Sequence, residues 1–238
     1  TAALLRALQA SGTTAHGLKV IQTGCQPSSN GQLIAPDVQR YAQACPQGKH
    51  HALLCFEPAC SPHLAARQAK TPLSAVQIVQ SIEQEKNSLP PGAFMCVEGS
   101  GGVMVPINEQ ETFLDVFSLL GLPVLMVCPN ELGCINHALL TAHALRGKSI
   151  PLLGFVLTSP HKPQGITSTR TKTKKSGPES NTPENSPLKN NSPKDNSPGA
   201  RILDNTNFNE TNHAIHRDNR AILETMLNAP CLGEIPWL

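Results

Sequence analysis

One glutamate stands where a nucleotide-binding carboxylate would be useful. Glu98 opens the run Glu-Gly-Ser-Gly-Gly at 98–102, and the apolar residues 94–97 directly before it are typical of a buried strand. A carboxylate at the end of such a strand, beside backbone that can approach phosphate closely, could hold Mg²⁺ on a nucleotide. The structural alternative is a tight glycine turn whose glutamate only caps the next element. Spacing alone leaves both interpretations open.

A lysine and an aspartate nearer the N-terminus could belong to the same chemistry. Lys19 stands at the end of a predicted strand, Thr23 follows four residues on, and Asp37 comes after a polar loop. A lysine is a compact cation that can neutralise a transferring phosphoryl group or a carbamate, and an aspartate can join a metal shell. Taken singly, residues of these types are more often surface charges.

Residues 133–137, Gly-Cys-Ile-Asn-His, form a third candidate site. They stand between a predicted strand and an amphipathic helix. Free backbone amides at a helix start favour an anionic group, each contact contributing about 0.3 to 1 kcal/mol. The alternative is that Asn136 simply caps the helix.

Two other chemistries find little support in the residue pattern. Ser61 and His63 are close, but Pro62 stands between them and the chain has no Gly-x-Ser-x-Gly elbow, which argues against a hydrolase. The nine histidines show no metal-binding spacing and His-Glu-x-x-His is absent. Phosphate and nucleotide chemistry therefore remains the better interpretation.

Alternating apolar runs and amphipathic segments surround these candidates. Short apolar runs separated by helices of ten or more residues indicate parallel strands joined by crossovers. The sequence therefore predicts an α/β fold, with a doubly wound, mostly parallel sheet flanked by helices. Ligands bind at the carboxyl ends of the strands in such sheets, where the glycine-rich turns fall. The predicted helices cover residues 2–10, 74–86, 136–145 and 216–227, and the predicted strands 18–22, 93–97, 123–128, 152–157 and 230–235.

Composition narrows the choice of partner and compartment. The chain has 238 residues and a net charge of +2, which suits one domain and is too weak a field to indicate nucleic acid or a membrane surface. It has no run of 18 apolar residues and no secretory leader, which predicts a soluble, cytoplasmic protein. The eight cysteines form no Cys-x-x-Cys pair and are interpreted as reduced core thiols. Because the first residue is threonine, we expect a fragment or a processed product.

Residues 161–212 differ in composition from the rest of the chain. Polar residues and proline dominate there, and such a stretch cannot bury enough apolar surface to offset its ordering entropy. We predict a long disordered insertion between the two parts of one α/β domain, residues 1–160 and 213–238. Asn-Ser-Pro occurs three times in the insertion, which is typical of a low-complexity linker or of proline-directed phosphorylation sites.

Six motifs in a fixed order carry a family resemblance. They are Glu-Pro-Ala-Cys-Ser-Pro-His-Leu-Ala-Ala at 57–66, Val-Glu-Gly-Ser-Gly-Gly at 97–102 with Val-Met-Val-Pro after it, Leu-Pro-Val-Leu-Met-Val at 122–127, Leu-Gly-Cys-Ile-Asn-His-Ala-Leu-Leu-Thr-Ala-His-Ala-Leu at 132–145, Leu-Leu-Gly-Phe-Val at 152–156, and Asn-Ala-Pro-Cys-Leu-Gly-Glu-Ile-Pro-Trp-Leu at 228–238. With these motifs the chain resembles dethiobiotin synthetase over residues 1–160 and about 213–238. The resemblance implies a P-loop NTPase-like fold.

The resemblance also implies a reaction. In that family 7,8-diaminononanoate, carbon dioxide and ATP with Mg²⁺ give dethiobiotin, ADP and phosphate, a step of biotin biosynthesis. One amine forms a carbamate, the γ-phosphoryl group of ATP activates it, and the other amine closes the ring. The implied assembly is a homodimer, because the neighbouring subunit receives the carboxylate of the substrate.

The same resemblance assigns roles to residues by position. Lys19 matches the active-site lysine, Thr23 a substrate-contacting hydroxyl, and Asp37 and Glu98 the Mg²⁺ carboxylates. The residues that match the nucleotide site are Asp37, Glu98, Gly99, Ser100, Gly101, Thr158, Ser159, Pro236, Trp237 and Leu238. Those that match the helix start receiving the carboxylate of the substrate are Gly133, Cys134, Ile135 and Asn136.

The chain departs from the family's pattern at several positions, including Val20 in place of proline and Ser100 in place of alanine, and two departures bear on nucleotide binding. The glycine-rich phosphate loop of the family would lie a few residues before Thr1, so we expect the chain as written to bind ATP poorly. Thr158 and Ser159 replace an Asn-Asp pair whose asparagine reads adenine, which implies a relaxed nucleotide preference. A non-catalytic relative serving as a dimerisation or scaffold module is the alternative function. Related amidotransferase-like and partitioning ATPases share the Val-Glu-Gly turn, but the motifs at 61–66 and 133–142 argue against them.

Overall fold

Helices and strands alternate along the part of the chain that the structure describes. The computed structural model describes residues 1–159 and 205–236, the latter as backbone alone up to residue 214. In chain order the elements are α1 (Ala2–Ala10), β1 (Ala15–Gln22), β2 (Gln26–Pro27), β3 (Leu33–Ile34), α2 (Pro36–Ala44), β4 (His50–Cys55), α3 (Pro62–Gln68), α4 (Ala75–Asn87), β5 (Phe94–Glu98), α5 (Phe113–Leu120), β6 (Val124–Pro129), α6 (Cys134–Gly147), β7 (Leu152–Thr158), α7 (Asn205–Leu227) and β8 (Cys231–Ile235).

The six longer strands run parallel in two three-stranded sheets. One sheet has the order β4-β1-β5 and the other β6-β7-β8, while β2 and β3 form a short antiparallel hairpin. Helices connect β4 to β5, β6 to β7 and β7 to β8. The predicted α/β fold of parallel strands and flanking helices is confirmed. The predicted single sheet is two separate sheets within the described residues, because no strand there pairs with the edge of β5 opposite β1 or with the edge of β6 opposite β7.

All the predicted helices and strands are present, with some shifted boundaries. β1 begins at Ala15 and continues to Gln22, so Lys19 lies inside the strand and not at its end. β4, α2 and α5 were not predicted. β4 begins with the polar residues His50 and His51, so its apolar run is too short to be recognised as a strand. α2 has few apolar residues and therefore shows no clear amphipathic pattern.

The long helix α7 begins earlier than expected. It runs from Asn205 to Leu227, so its first residues, 205–212, fall in the stretch predicted as an insertion. The end of α7 packs in the core of the second sheet through Leu223 and Leu227, and a helix anchored in this way gains a hydrogen bond for each residue added. The rest of the predicted insertion, residues 161–204, lies outside the described residues. Neither α7 nor any other described helix is both long and apolar enough to cross a membrane.

The strand β1 separates the two layers of helices around the first sheet. Leu18 points into the main core, where it packs with side chains of α3, α4 and α5. Gly17 faces the other layer, where an added side chain would meet Leu5 of α1 and Tyr41 of α2. Because side chains alternate along a strand, Lys19 lies on the same face as Gly17 and points towards α1 and α2.

A methyl group at Gly17 should destabilise the protein. Its carbon would lie 2.8 Å from a ring carbon of Tyr41 and 2.8 Å from a methyl carbon of Leu5. Overpacking of this kind costs about 1 to 3 kcal/mol, so Gly17→Ala should lower the free energy of unfolding in urea by that amount. Gly147→Ala is the control, because a methyl group there meets nothing within 4 Å. Equal stability of Gly17→Ala and wild type would contradict the packing.

Candidate active site

Lys19 lies between two carboxylates that are far from it in the sequence. Its Nζ is 2.7 Å from Oε1 of Glu98 and 2.8 Å from Oδ2 of Asp37. The register of β1 with β5 sets Lys19 opposite Glu98, and Asp37 stands in the first turn of α2, which covers this face. The structure therefore brings Glu98 together with Lys19 and Asp37, which the residue pattern nominated as a different candidate site, near the carboxyl ends of adjacent parallel strands.

Burial makes the charges of these groups depend on one another. Lys19 is only 5% exposed, and a buried ammonium without a partner would be strongly disfavoured. Burial by itself raises the pKa of Glu98, but the hydrogen bond and charge of Lys19, the terminal ammonium of Thr1 at 3.9 Å and the hydrogen bond from Tyr41 outweigh burial and leave this pKa below its usual value. Glu98 is therefore ionised at neutral pH and compensates the charge of Lys19.

Each carboxylate also uses its second oxygen. Oε2 of Glu98 accepts a hydrogen bond of 2.7 Å from the hydroxyl of Tyr41, and Oδ1 of Asp37 lies 3.4 Å from Nη1 of Arg40. Sequence analysis missed Tyr41. Its spacing from Asp37 could have indicated it, because residues four apart in a helix lie on the same face and Tyr41 comes four residues after Asp37.

Asp37 and Glu98 supply the kind of ligand that Mg²⁺ prefers. Both present a carboxylate oxygen to Nζ of Lys19, so the two groups converge on one point. Mg²⁺ is usually held by one or two carboxylates and completes its shell with substrate phosphates and water. The described residues contain no group of three or more His, Cys, Asp or Glu that could hold a metal. The ammonium of Lys19 occupies the point where these two oxygens converge, so the residue types of the pair, and not an open position between them, are what suit a Mg²⁺ ion bound to a phosphate-bearing ligand.

Small residues shape the turn after β5. The hydroxyl of Ser100 donates to a backbone carbonyl of β1. A Cβ at Gly99 would lie 3.2 Å from the ring of Phe117 and 3.3 Å from the ring of Phe113, so α5 packs directly behind the turn. Glu98 directs its oxygens to side chains of β1 and α2. It does not cap the element that follows, and that structural alternative is wrong.

The helix α5 that supports this turn begins with a capping box. Both the backbone N–H and the hydroxyl of Thr112 donate to Oδ2 of Asp115, at 2.9 and 3.0 Å. The backbone N–H of Thr112 is the main cause that lowers the pKa of Asp115. A carboxylate with a lowered pKa stabilises the fold above its unfolded-state pKa of about 3.9, and this stabilisation is lost as the pH falls through the folded-state pKa.

Asp115→Ala should therefore lower stability in a pH-dependent way. At pH 7 we expect a loss of about 1 kcal/mol in urea unfolding, the usual contribution of a helix cap. The difference from wild type should shrink as the pH is lowered below about 4, where the wild-type carboxylate takes up its proton. Glu83→Ala is the control, since Glu83 is exposed and pairs with Lys86 in its own helix. A difference independent of pH would contradict the ionic cap.

Several known proteins similar to this chain carry the same name. A family profile described as AAA domain matches residues 1–238. The ATP-dependent dethiobiotin synthetase BioD of Nitrosospira multiformis is 41% identical over 160 residues, which cover 66% of this chain and 67% of that protein. The protein of the same name from Chromohalobacter salexigens is 31% identical over 241 aligned residues, which cover 99% of this chain and 82% of that protein. The chain belongs to the dethiobiotin synthetase family.

Membership of the dethiobiotin synthetase family confirms the resemblance that the six motifs carried. It also confirms the P-loop type of α/β fold. The relatives are named as ATP-dependent synthetases, which is the class of enzyme that the sequence predicted. The roles of single residues are a separate matter and remain predictions.

The residues predicted to receive the carboxylate of the substrate form the start of α6. Gly133 is the N-cap, with a φ of 96° that favours glycine, and Cys134 is the first helical residue. The interpretation of Asn136 as the cap is wrong, because Asn136 already lies in the first turn. Cys134 is buried, Ile135 is half-buried and Asn136 is exposed. The backbone N–H of Cys134 already donates to the carbonyl of Glu131 at 3.2 Å, and anion binding by the other amides of this first turn stays a prediction.

Besides Asp37 and residues 98–101, three described residues that match the family's nucleotide site lie at the ends of β7 and β8. Thr158 ends β7, and the backbone N–H of Ser159 donates to the last residue of β8 at 3.0 Å. Pro236 follows β8, whereas Trp237 and Leu238 lie outside the described residues. These ends belong to the second sheet, and their contact with a nucleotide remains a prediction.

Proposed function

We propose that this chain catalyses the ATP-dependent conversion of 7,8-diaminononanoate and carbon dioxide into dethiobiotin. The observation that carries the proposal is the buried contact of Lys19 with Asp37 and Glu98. These three positions match the lysine and the two carboxylates of the family's site. The names of the relatives support the same reaction.

The reaction requires three bond-forming steps. One amine attacks carbon dioxide and loses a proton, which gives a carbamate. A carbamate oxygen takes the γ-phosphoryl group of ATP and ADP leaves. The second amine then attacks the carbonyl carbon of this mixed anhydride, loses a proton and expels phosphate as the ring closes. Because negative charge collects on the carbamate and phosphoryl oxygens, a fixed cation at the reacting centre is useful.

Lys19 supplies that cation in this proposal. Glu98 and Asp37 hold its ammonium in place before the substrate arrives, so little reorganisation is needed during the reaction. Asp37 and Glu98 would be the residues that hold Mg²⁺, which would supply charge neutralisation at the phosphate oxygens of ATP. Thr23, half-buried directly after β1, contacts the diamine through its hydroxyl.

The remaining contacts divide between the nucleotide and the far end of the diamine. Residues 99–101 line ATP beside Glu98, and the ends of β7 and β8 hold its base. The helix start at residues 133–136 binds the carboxylate of the diamine held by the neighbouring subunit, so the proposal includes a homodimer. We place the reaction in the cytoplasm, which is supported by eight cysteines that are all free thiols.

Product analysis tests the proposed function. The complete gene product is incubated with 7,8-diaminononanoate, ¹³C-bicarbonate and ATP with Mg²⁺, and each component is omitted in turn. We expect labelled dethiobiotin in the mass spectrum, with equal amounts of ADP and phosphate. If the wild-type protein forms neither ADP nor labelled dethiobiotin where a curated relative forms both, the enzymatic function is overturned and the scaffold function replaces it.

A further inference from the structure

Tyr41 contacts the site, yet neither a sequence motif nor the family resemblance gives it a role. Its hydroxyl donates to Oε2 of Glu98 at 2.7 Å, while Oε1 of the same carboxylate accepts from Lys19. Tyr41 is 2% exposed, so water has little access to this hydrogen bond. It is also the only tyrosine in the chain, and no other residue of this type can replace it.

The ring of Tyr41 is held on several sides. It packs with Leu5 and Cys45, and its ring centre lies 6.2 Å from that of His50 in an edge-on contact. On the side of β1 the ring approaches Gly17 so closely that a methyl group there would lie 2.8 Å from it. The hydroxyl therefore has a fixed position relative to the end of β5.

The hydroxyl of Tyr41 also keeps its proton. Burial raises the pKa of Tyr41, and the hydrogen bond to Glu98 raises this pKa further. A neutral phenol donates one hydrogen bond without adding charge to the site. Tyr41 thus differs from Lys19, which contacts the same carboxylate and carries a positive charge.

A carboxylate can turn about its last bond and present one oxygen or both oxygens to a cation. Oε2 of Glu98 is held by a fixed donor, and Oε1 accepts from Lys19. We infer that Tyr41 is a positioning residue, which orients Glu98 so that Oε1 faces the cation in the site. That cation is Lys19 in this structure. A second cation, the Mg²⁺ that accompanies ATP, enters this inference only through the proposed function, on which the inference therefore rests.

Tyr41→Phe tests the inference because it removes the hydroxyl and keeps the ring. The complete gene product is titrated with Mn²⁺ in the presence of a non-hydrolysable ATP analogue, and free Mn²⁺ is measured by electron paramagnetic resonance. We expect the dissociation constant for Mn²⁺ to rise about tenfold, the usual effect of removing a partner that orients a metal ligand. In turnover, kcat should fall while KM for 7,8-diaminononanoate stays the same.

Cys45→Ala is the matched control for Tyr41→Phe. Cys45 is 1% exposed and belongs to the same packing cluster as Tyr41, but its thiol lies near a backbone carbonyl of β1 and not at Glu98. Cys45→Ala should lower the melting temperature and leave Mn²⁺ affinity unchanged. Unchanged Mn²⁺ affinity in Tyr41→Phe, or an equal loss in Cys45→Ala, would overturn the positioning role. Because Mn²⁺ binding is measured without turnover, this outcome is distinct from a wild-type protein that forms no dethiobiotin.

Discussion

Replacing Lys19 by methionine should lower kcat for dethiobiotin formation about a thousandfold in the complete gene product. A thousandfold loss corresponds to about 4 kcal/mol of barrier, a size expected when a fixed charge facing developing negative charge is removed. Methionine keeps most of the volume of the buried side chain. Single-turnover formation of ADP, measured by rapid quench, reports the chemical step directly.

The Lys19→Met experiment needs a check of folding and a matched lysine. Removing one partner of a buried ion pair costs about 3 to 5 kcal/mol. The cost here should fall at the lower end, because the side chains of Asp37 and Glu98 are 24% and 32% exposed. Circular dichroism at the assay temperature shows whether the variant is folded. Lys86→Met, which removes an exposed lysine paired with Glu83, should leave kcat unchanged. Near-normal turnover of folded Lys19→Met would exclude Lys19 from the mechanism.

Replacing Glu98 by glutamine should impair metal binding and turnover together. Glutamine keeps the shape of the side chain but loses the charge that binds Mg²⁺ and compensates Lys19. We expect Mn²⁺ affinity with a bound ATP analogue to fall at least tenfold, and kcat to fall about a hundredfold, or about 2.7 kcal/mol of barrier. The effect on kcat should be reduced but not abolished by raising Mg²⁺, since the second carboxylate, Asp37, remains.

A matched carboxylate shows whether the loss is specific to the site. Glu109 is exposed and pairs with Arg67 at 2.6 Å on the surface, so Glu109→Gln should alter neither Mn²⁺ affinity nor kcat. If Glu98→Gln released ADP at the wild-type rate and with the wild-type requirement for Mg²⁺, Glu98 would not be a metal ligand.

The sequence predicted best those features that depend on neighbouring residues. Apolar runs predicted β5, β6 and β7 within one or two residues, because the parallel strands of an α/β fold are continuous apolar segments. The turn at 98–101 was nominated from its glycines. β4 was missed because His50 and His51 disguise its start, and the early part of α7 was missed because its polar composition does not show the anchoring by Leu223 and Leu227.

The contacts of the site could not be read from residue spacing. Lys19 and Glu98 are 79 residues apart and meet through the register of two parallel strands. A shift of that register by one residue would place either side chain on the opposite face of the sheet. Tyr41 illustrates the same limit, since its helical spacing from Asp37 was visible in the sequence, but its bond to Glu98 depends on how α2 packs on β1.

The amino-acid sequence by itself determined the family, the α/β class and the residue types available for chemistry, because these follow from local patterns and ordered motifs. The tertiary structure alone decided that Lys19 is buried between Asp37 and Glu98. It also decided that Tyr41 donates to Oε2 of Glu98, the oxygen that Lys19 does not contact. The physical reason is that strand register and helix packing join residues distant in the chain, and burial then makes each charge depend on its partners.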